Sequence, residues 1–156
     1  MDIKALRSEY KKGELKDDSV YSDPVKQFEK WFEQALHADL HYVNAMTLAT
    51  SSSRGVPSAR IVLLKEFDNR GFVFYTHYGS RKGEDLADNP VAALLFFWKE
   101  LERQVRIEGR VEKTTPQESE EYFDSREPES RISAMISPQS KVIPDRRYLE
   151  DRWVAY

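Results

Sequence analysis

The spacing of apolar residues predicts one amphipathic helix near the start of the chain. In "DPVKQFEKWFEQALHADL" the apolar side chains recur at helical intervals, namely at Val25, Phe28, Phe32, Ala35 and Leu36. Asp23 stands at the expected N-cap, and Pro24 follows at the first helical position. We therefore expect a helix that covers one side of a core.

From residue 43 the pattern changes to short apolar runs that are separated by turn residues. The first three runs are "VNAMTLAT", "ARIVLLKEF" and "FVFYTHY", and the turns between them are "SSSRGVPS" and "DNRG". The runs "VAALLFFW" and "RQVRIEGRV" follow. The last one alternates, with Val105, Ile107 and Val111 on one face and polar side chains on the other. The pattern predicts an antiparallel meander.

Helical patterns return around the meander and complete the predicted fold. A short helix is expected to begin near Arg81, and later ones in "TPQESEEYFDSR", "PESRISAMIS" and "IPDRRYLEDRWVAY". The fold class is mainly β with α (α+β), an antiparallel sheet that forms a small barrel with flanking helices. Residues 1–22 are charged and polar, so we expect a mobile arm before a single domain over 23–156.

Composition narrows the function classes. The chain has 156 residues, a net charge of -3 and no cysteine. A general nucleic-acid binder is usually basic, so the net charge argues against that class. Thiolate and disulfide chemistry need cysteine and are excluded. No apolar run approaches the length of a membrane span, and we expect a cytoplasmic protein. Eight Tyr, eight Phe and three Trp suit a packed β core or a surface that stacks on a flat ligand.

The residues with acid–base or metal-binding chemistry form no recognisable catalytic set. His37 and His41 have the spacing of neighbours on a helix, but no carboxylate adjoins His37 as in the zincin motif. We interpret them, with His77, as surface residues rather than as metal ligands. Glycine-rich nucleotide fingerprints and a Ser-His-Asp arrangement are also missing. If the protein is an enzyme, a bound organic cofactor is expected to perform the difficult step.

Cations cluster at the predicted strand ends. Arg81 and Lys82 stand at the start of a short helix, where the helix dipole is already positive, and this is unfavourable unless an anion binds. Arg60 and Lys65 bracket the strand "RIVLLK". Tyr75 and Thr76 end the next strand. Side by side in a meander, these groups would suit a phosphate monoester. Spacing alone leaves an equal alternative, in which the strand ends simply face solvent.

A second set lies downstream. Tyr122 and Arg126 are four residues apart and would share one helix face, and Ser130 follows four residues later. Gln139 and Ser140, in the loop "SPQSKVIP", could bind the polar edge of a heteroaromatic ring. The alternatives are an ordinary charged helix face and a plain turn.

Taken together, these stretches resemble the pyridoxine/pyridoxamine 5'-phosphate oxidase family. The resemblance covers nearly the whole chain in order, through "LRSEYKKGEL", "DPVKQFEKWFEQAL", "ARIVLLKEFDNRGFVFYTHYGSRKGEDLADNP", "RQVRIEGRV", "EYFDSR" and "SPQSKVIP". It implies an FMN-binding split barrel that forms a homodimer, with the flavin held between the subunits.

The resemblance also implies a role for each matching position. The expected FMN contacts are Arg60, Ile61, Val62, Leu63, Leu64, Lys65, Tyr75, Thr76, Arg81, Lys82, Gln104, Gln139 and Ser140. Gln139 and Ser140 are expected to reach the flavin from the partner chain. The expected contacts of the phosphorylated substrate are Arg7, Tyr10, Lys65, Tyr122, Arg126 and Ser130. Arg7 and Tyr10 would fold over the substrate as a lid.

The implied reaction is oxidation of pyridoxine or pyridoxamine 5'-phosphate by hydride transfer to FMN, with O2 as acceptor and hydrogen peroxide as product. The chain ends at "LEDRWVAY", whereas the family pattern continues with Trp-Gly-Gly and Arg-x-His stretches. On that basis we expect an exposed sheet edge and weakened sites. Two alternatives stay open, a non-catalytic FMN- or pyridoxal-phosphate-binding protein and a split-barrel flavin reductase.

Overall fold

Two antiparallel sheets and five helices make up the described part of the chain, which in this computed structural model is residues 3–5, 9, 11 and 15–156. The helices are α1 (Pro24–His37), α2 (Arg81–Asp88), α3 (Pro116–Asp124), α4 (Pro128–Ile136) and α5 (Arg147–Val154). The strands are β1 (Ala45–Ser51), β2 (Pro57–Leu63), β3 (Glu66–Asp68), β4 (Gly71–Val73), β5 (Val91–Trp98) and β6 (Arg103–Arg110). Short 3₁₀ turns occur at Ile3–Ala5, Asp17–Ser19 and Lys99–Leu101.

The larger sheet has the strand order β2-β1-β5-β6, and β3 and β4 form a separate hairpin. In β1 and β2 the register places Thr50 opposite Ser58 and Leu48 opposite Arg60. β5 then pairs with both β1 and β6, so the chain leaves the sheet for the hairpin and α2 before it returns. The predicted α+β class with an antiparallel sheet is confirmed.

Phe28 of α1 links the two sheets through one aromatic core. Its ring meets Phe67 and Phe72 of the hairpin edge-on at 4.9 Å each, and it lies 5.1 Å from Phe96 of the large sheet. Phe28 is 3% exposed and Phe96 is fully buried. Such packing of a helix and a hairpin against one face of the sheet encloses a small split barrel.

The start of α1 matches its prediction, and its end differs. Asp23 accepts hydrogen bonds from the backbone N–H groups of Val25 and Lys26, and Pro24 occupies the first turn. Ala35 is fully buried, but Leu36 is 56% exposed. Successive helical residues are rotated by about 100°. Leu36 therefore turns away from the core, and its place in the apolar stripe was predicted wrongly.

The structure also corrects three predicted positions near the site. Arg60 lies in the middle of β2 rather than at its end. β4 ends at Val73, so Tyr75 follows the strand instead of ending it. Arg126 does not share a helix with Tyr122, because α3 ends at Asp124 and a new helix begins at Pro128. A proline disfavours helical geometry in the residue before it, which separates α3 from α4.

The N-terminal segment contacts the domain at its described residues. The backbone N–H of Lys11 donates to Oε2 of Glu102 at 2.7 Å, and that of Tyr21 donates to Oε1 of Gln27 at 2.9 Å. Arg7 and Tyr10, the predicted lid residues, lie outside the described residues. The lid function therefore stays a prediction. Among the described residues no helix has the length and apolar character that crossing a membrane requires.

Candidate functional site

The start of α2 is built around a buried serine. Ser80 is the N-cap, is fully buried, and its Oγ donates to the carbonyl oxygen of His77 at 2.6 Å. The Oγ of Ser80 in turn accepts from the backbone N–H of Gly83 at 3.4 Å and from Nζ of Lys82 at 3.3 Å. The cap therefore fixes the backbone at the point where two cations enter the helix.

Gly83 permits the close approach of the preceding turn. A Cβ at this position would lie 2.2 Å from the carbonyl oxygen of Tyr78 and 2.7 Å from its carbonyl carbon. These are backbone atoms, which cannot move aside as the end of a side chain can. A residue with a side chain would thus force the turn away from the first turn of α2.

Arg60 interacts electrostatically with both Arg81 and Lys82, so the structure brings three of the four predicted cations together, and Lys65 lies elsewhere, over the ring of Tyr122. Burial lowers the pKa of the Lys82 ammonium, and the positive charge of Arg60 lowers this pKa further. Burial also lowers the pKa of the Arg60 guanidinium, against the opposing charge of Asp85, and Arg81 adds to the lowering. We call Arg60, Arg81 and Lys82 the cation cluster. An anion bound there would relieve the repulsion among them.

The guanidinium of Arg60 is held by groups that the sequence did not indicate. Its Nη1 donates to Oγ1 of Thr50 at 2.8 Å, and its Nη2 donates to Oγ of Ser58 at 2.7 Å. Nη1 also donates to the carbonyl oxygens of Leu48 and Ser58. Oδ2 of Asp85 lies 3.9 Å from Nη2 and accepts from Oγ1 of Thr50 at 2.8 Å.

The sequence pattern indicates two of these partners of Arg60, although only weakly. Ser58 and Arg60 are two residues apart and so share one face of a strand. A hairpin register through "SSSRGVPS" would also have placed Thr50 opposite Ser58, as the structure has it. Asp85 gave no such signal, because its contact depends on how α2 packs against β1.

Gln139 reaches the cation cluster from the loop after α4. Its Oε1 accepts from Nζ of Lys82 at 2.7 Å within the same chain. The expected contact of Gln139 with the flavin from the partner chain stays a prediction. Ser140 next to it has a φ of 66°, a left-handed conformation that is uncommon for a non-glycine residue. The backbone N–H of Lys141 donates to the carbonyl oxygen of Pro138, which closes this turn.

Tyr75 and Tyr122 form an aromatic stack beside Lys65. Their ring centroids are 3.8 Å apart and their planes differ by 5°. Nζ of Lys65 lies 5.5 Å from the centroid of the Tyr122 ring. Burial raises the pKa of the Tyr75 hydroxyl, and the charge of Glu118 raises it further. The structure thus joins a predicted cofactor contact to two predicted substrate contacts.

Thr76, which follows Tyr75 in the sequence and precedes Arg81, has a side-chain hydroxyl that no described protein group uses. Its Oγ1 is buried and has no hydrogen-bond partner among the described residues. A buried hydroxyl without a partner costs free energy, and a bound ligand could remove that cost. The hydroxyl of Thr76 is therefore available to a polar ligand.

The remaining predicted positions do not join this arrangement within one chain. Leu64 is 4% exposed, and its backbone N–H and C=O both bond Asn44, so its side chain belongs to the core. Val62 also packs against the core. Arg126 lies in the turn after α3, where its guanidinium carbon is 6.0 Å from the centroid of the Phe123 ring. Ser130 lies in α4. Among the contacts of the described residues, none links these two to the stack.

Ile61, Leu63 and Gln104 lie on the sheet face opposite the core. Because side chains alternate along a strand, this face also carries Phe97, which pairs with Gln104. Ile61 is 65% exposed, Phe97 58% and Leu63 39%. We call this surface the outer sheet face. It is an apolar surface without a partner in the described chain.

The described residues contain no group of three or more His, Asp or Glu side chains that could hold a metal ion. His37 is the last residue of α1, and its Nδ1 lies 2.7 Å from the carbonyl oxygen of Glu33. His41 is exposed in the following turn.

Comparisons with known proteins connect this arrangement to one family. The family model described as "Pyridoxamine 5'-phosphate oxidase" matches residues 32–155. The "Pyridoxine/pyridoxamine 5'-phosphate oxidase" of Trichormus variabilis is 57% identical over 150 residues, which are 96% of this chain and 70% of the relative. The protein of the same name from Paraburkholderia phymatum is 58% identical over 147 residues, which are 94% of this chain and 69% of the relative.

Two solved structures resemble the fold. PhzG from Burkholderia lata, in complex with tetrahydrophenazine-1-carboxylic acid, has a TM-score of 0.84 at 29% identity, over 88% of this chain and 68% of that one. A "pyridoxamine 5'-phosphate oxidase-related, FMN binding protein" from Nostoc punctiforme has a TM-score of 0.63 at 19% identity. This second match covers 79% of this chain and 70% of the other, and at this identity it supports the fold alone.

Proposed function

Because this chain belongs to the pyridoxamine 5'-phosphate oxidase family, we propose that it oxidises pyridoxine or pyridoxamine 5'-phosphate to pyridoxal 5'-phosphate with FMN as cofactor. The observation that carries this proposal is the cluster of three cations near the start of α2, which suits the phosphate of FMN. Tyr75, whose ring stacks on that of Tyr122, precedes α2 closely in the sequence.

The residues present fit FMN on two counts. The cation cluster carries positive charge in a partly buried setting, which a phosphate dianion would neutralise. The hydroxyl of Thr76 is buried and lacks a hydrogen-bond partner among the described residues, so it can serve a ligand. When bound, FMN would supply the redox chemistry, a two-electron oxidation at the C4' carbon of the substrate with O2 as the final acceptor and hydrogen peroxide as product.

The protein side chains bind and orient in this proposal. Arg60, Arg81 and Lys82 hold the cofactor phosphate, and Gln139 fixes the ammonium of Lys82 from one side. Lys65 and Tyr122, which lie together, would bind the substrate phosphate, and the family resemblance assigns Arg126 and Ser130 to the same phosphate. Positioning the reacting groups in this way can supply a large part of a rate acceleration without an acid–base pair. The amine substrate additionally needs one water, which releases ammonia.

A homodimer is part of the proposal, and the outer sheet face supports it. Ile61, Leu63 and Phe97 form an exposed apolar surface of a kind that monomers seldom present. A second copy on this face would bury these side chains and would bring Gln104 into the interface. A flavin bound at the interface could then be reached by Gln104 from the outer sheet face.

A function like that of PhzG, which was solved with tetrahydrophenazine-1-carboxylic acid, is less well supported by the comparisons than the oxidase. PhzG is 29% identical to this chain, whereas the oxidases are 57–58% identical. The stretch "EYFDSREPES" also resembles the family's site for the vitamin phosphate. A flavin reductase remains the outcome to expect if FMN binds but the vitamin phosphates are not oxidised.

Two measurements on the purified chain test the proposal. We expect the flavin absorption bands after incubation with FMN and removal of the excess, and peroxide release with pyridoxamine 5'-phosphate in air. Peroxide should not appear with unphosphorylated pyridoxamine at the same concentration. A chain that takes up no FMN contradicts the proposal, and FMN uptake without peroxide supports one of the two alternatives instead, a non-catalytic binding protein or a flavin reductase.

A further inference from the structure

Thr50 and Asp85 contact Arg60 of the cation cluster, and neither has been assigned a role so far. We propose that Thr50 is a positioning residue for the FMN phosphate, which fixes the guanidinium of Arg60 while Asp85 fixes the hydroxyl of Thr50. This inference rests on the proposed function, because it assumes that Arg60 binds that phosphate.

The direction of the hydrogen bonds follows from the chemistry of the three groups. A carboxylate only accepts and a guanidinium only donates. The single proton of the Thr50 hydroxyl is therefore donated to Oδ2 of Asp85 at 2.8 Å. The lone pairs of the same oxygen then face Nη1 of Arg60, also at 2.8 Å. Asp85 in this way sets the orientation in which Thr50 receives Arg60.

We call the hydrogen-bonded series Asp85–Thr50–Arg60 the relay. It joins three separate elements in a buried setting. Thr50 of β1 is 3% exposed, Asp85 of α2 is 8% exposed, and Arg60 comes from β2. α2 also carries Arg81 and Lys82, so the relay fixes Arg60 relative to the rest of the cluster. An arginine that is already immobilised loses less conformational entropy when it binds a phosphate, and this raises the affinity.

Thr50 is the informative position to change. Replacing Asp85 removes a negative charge beside the cluster, which by itself would strengthen anion binding and mask any loss of positioning. Thr50→Val has nearly the same shape, removes only the hydroxyl and leaves every charge in place. Thr50→Ser retains the hydroxyl and serves as the matched control.

The experiment compares FMN with riboflavin, which has the same ring system but no phosphate. Dissociation constants for both flavins are measured by the quenching of flavin fluorescence in the full-length apoprotein and its variants. We expect Thr50→Val to weaken FMN binding by up to about tenfold, because the Arg60 side chain would then have to be ordered when the phosphate binds. Riboflavin binding should be unchanged, and Thr50→Ser should resemble the wild type.

Each other outcome overturns the inference. If Thr50→Val weakens both flavins equally, Thr50 supports the fold rather than the phosphate, and if it weakens neither, the relay has no role. A wild-type protein that does not prefer FMN over riboflavin would contradict the proposed phosphate site itself. Should Thr50→Val fail to fold, Ser58→Ala removes the second side-chain anchor of Arg60 and must show the same FMN-selective loss.

Discussion

The rings of Tyr75 and Tyr122 stack face to face, with centroids 3.8 Å apart and planes within 5° of parallel. Tyr75 follows the β3–β4 hairpin and Tyr122 lies in the last turn of α3, so the stack fixes α3 against the hairpin. Tyr75 is a proposed cofactor contact and Tyr122 a proposed substrate contact. The stack therefore sets the position of one proposed subsite relative to the other.

Two variants of Tyr122 separate the contribution of its hydroxyl to substrate binding from that of its ring to stability. We expect both Tyr122→Phe and Tyr122→Leu to raise KM for pyridoxamine 5'-phosphate, because both lose the hydroxyl. Only Tyr122→Leu should also lower the free energy of unfolding, by about 0.5–1.5 kcal/mol for the lost aromatic pair. Steady-state kinetics and urea unfolding measure the two effects. Equal stability of the two variants would show that the stack contributes nothing.

Arg81→Ala should weaken the retention of FMN. Each lost charge-assisted hydrogen bond to a phosphate contributes about 1.5–3 kcal/mol, so the dissociation constant for FMN should rise by at least tenfold. Fluorescence titration measures it. Arg54→Ala, which changes an exposed arginine in the β1–β2 turn, is the matched control and should bind FMN normally. A similar loss in both variants would mean that only overall charge matters.

Arg126→Ala should have the complementary effect. We expect KM for the phosphorylated substrate to rise while the dissociation constant for FMN stays unchanged, because Arg126 lies outside the cation cluster. Arg147→Ala, in an exposed ion pair with Asp151 on α5, should leave both constants unchanged. If Arg126→Ala and Arg81→Ala lost FMN equally, the division into two phosphate sites would be wrong.

Phe97→Glu should disrupt the proposed homodimer. A charge in the middle of the outer sheet face would have to be buried without a partner, which an interface does not tolerate. Sedimentation velocity should show the wild type as a dimer and this variant as a monomer. Val142→Glu adds the same charge at a side chain that is 99% exposed and should leave the dimer intact. A monomeric wild type would contradict the homodimer directly.

Gly83→Ala should destabilise the start of α2. The added methyl group would lie 2.2 Å from the Tyr78 carbonyl oxygen, and overpacking of this kind costs about 1–3 kcal/mol. Gly109→Ala in β6 is the control, because a Cβ there meets nothing within 4 Å. Thermal unfolding compares the two. FMN binding should weaken only in Gly83→Ala, since the clash displaces the first turn of α2, which carries Arg81 and Lys82.

The regular elements could largely be predicted because their signals are local. The cap at Asp23, the alternation in β6 and the cations at the start of α2 all depend on neighbours within a few residues. The break between Tyr122 and Arg126 was local as well, through Pro128, but the prediction placed both residues on one helix. Arg60 was placed at a strand end because the apolar run after it was more conspicuous than the strand before it.

The sequence by itself determined the α+β class, the order of the elements and the family resemblance, because hydrophobic periodicity and ordered motifs are properties of the chain alone. The tertiary structure decided which distant residues meet. Thr50 with Asp85, Lys82 with Gln139, and Tyr75 with Tyr122 are pairs whose contacts arise from the packing of separate elements. Side-chain hydrogen bonds and ring stacks have ranges of a few ångströms, so only the packed fold selects them among many possible partners.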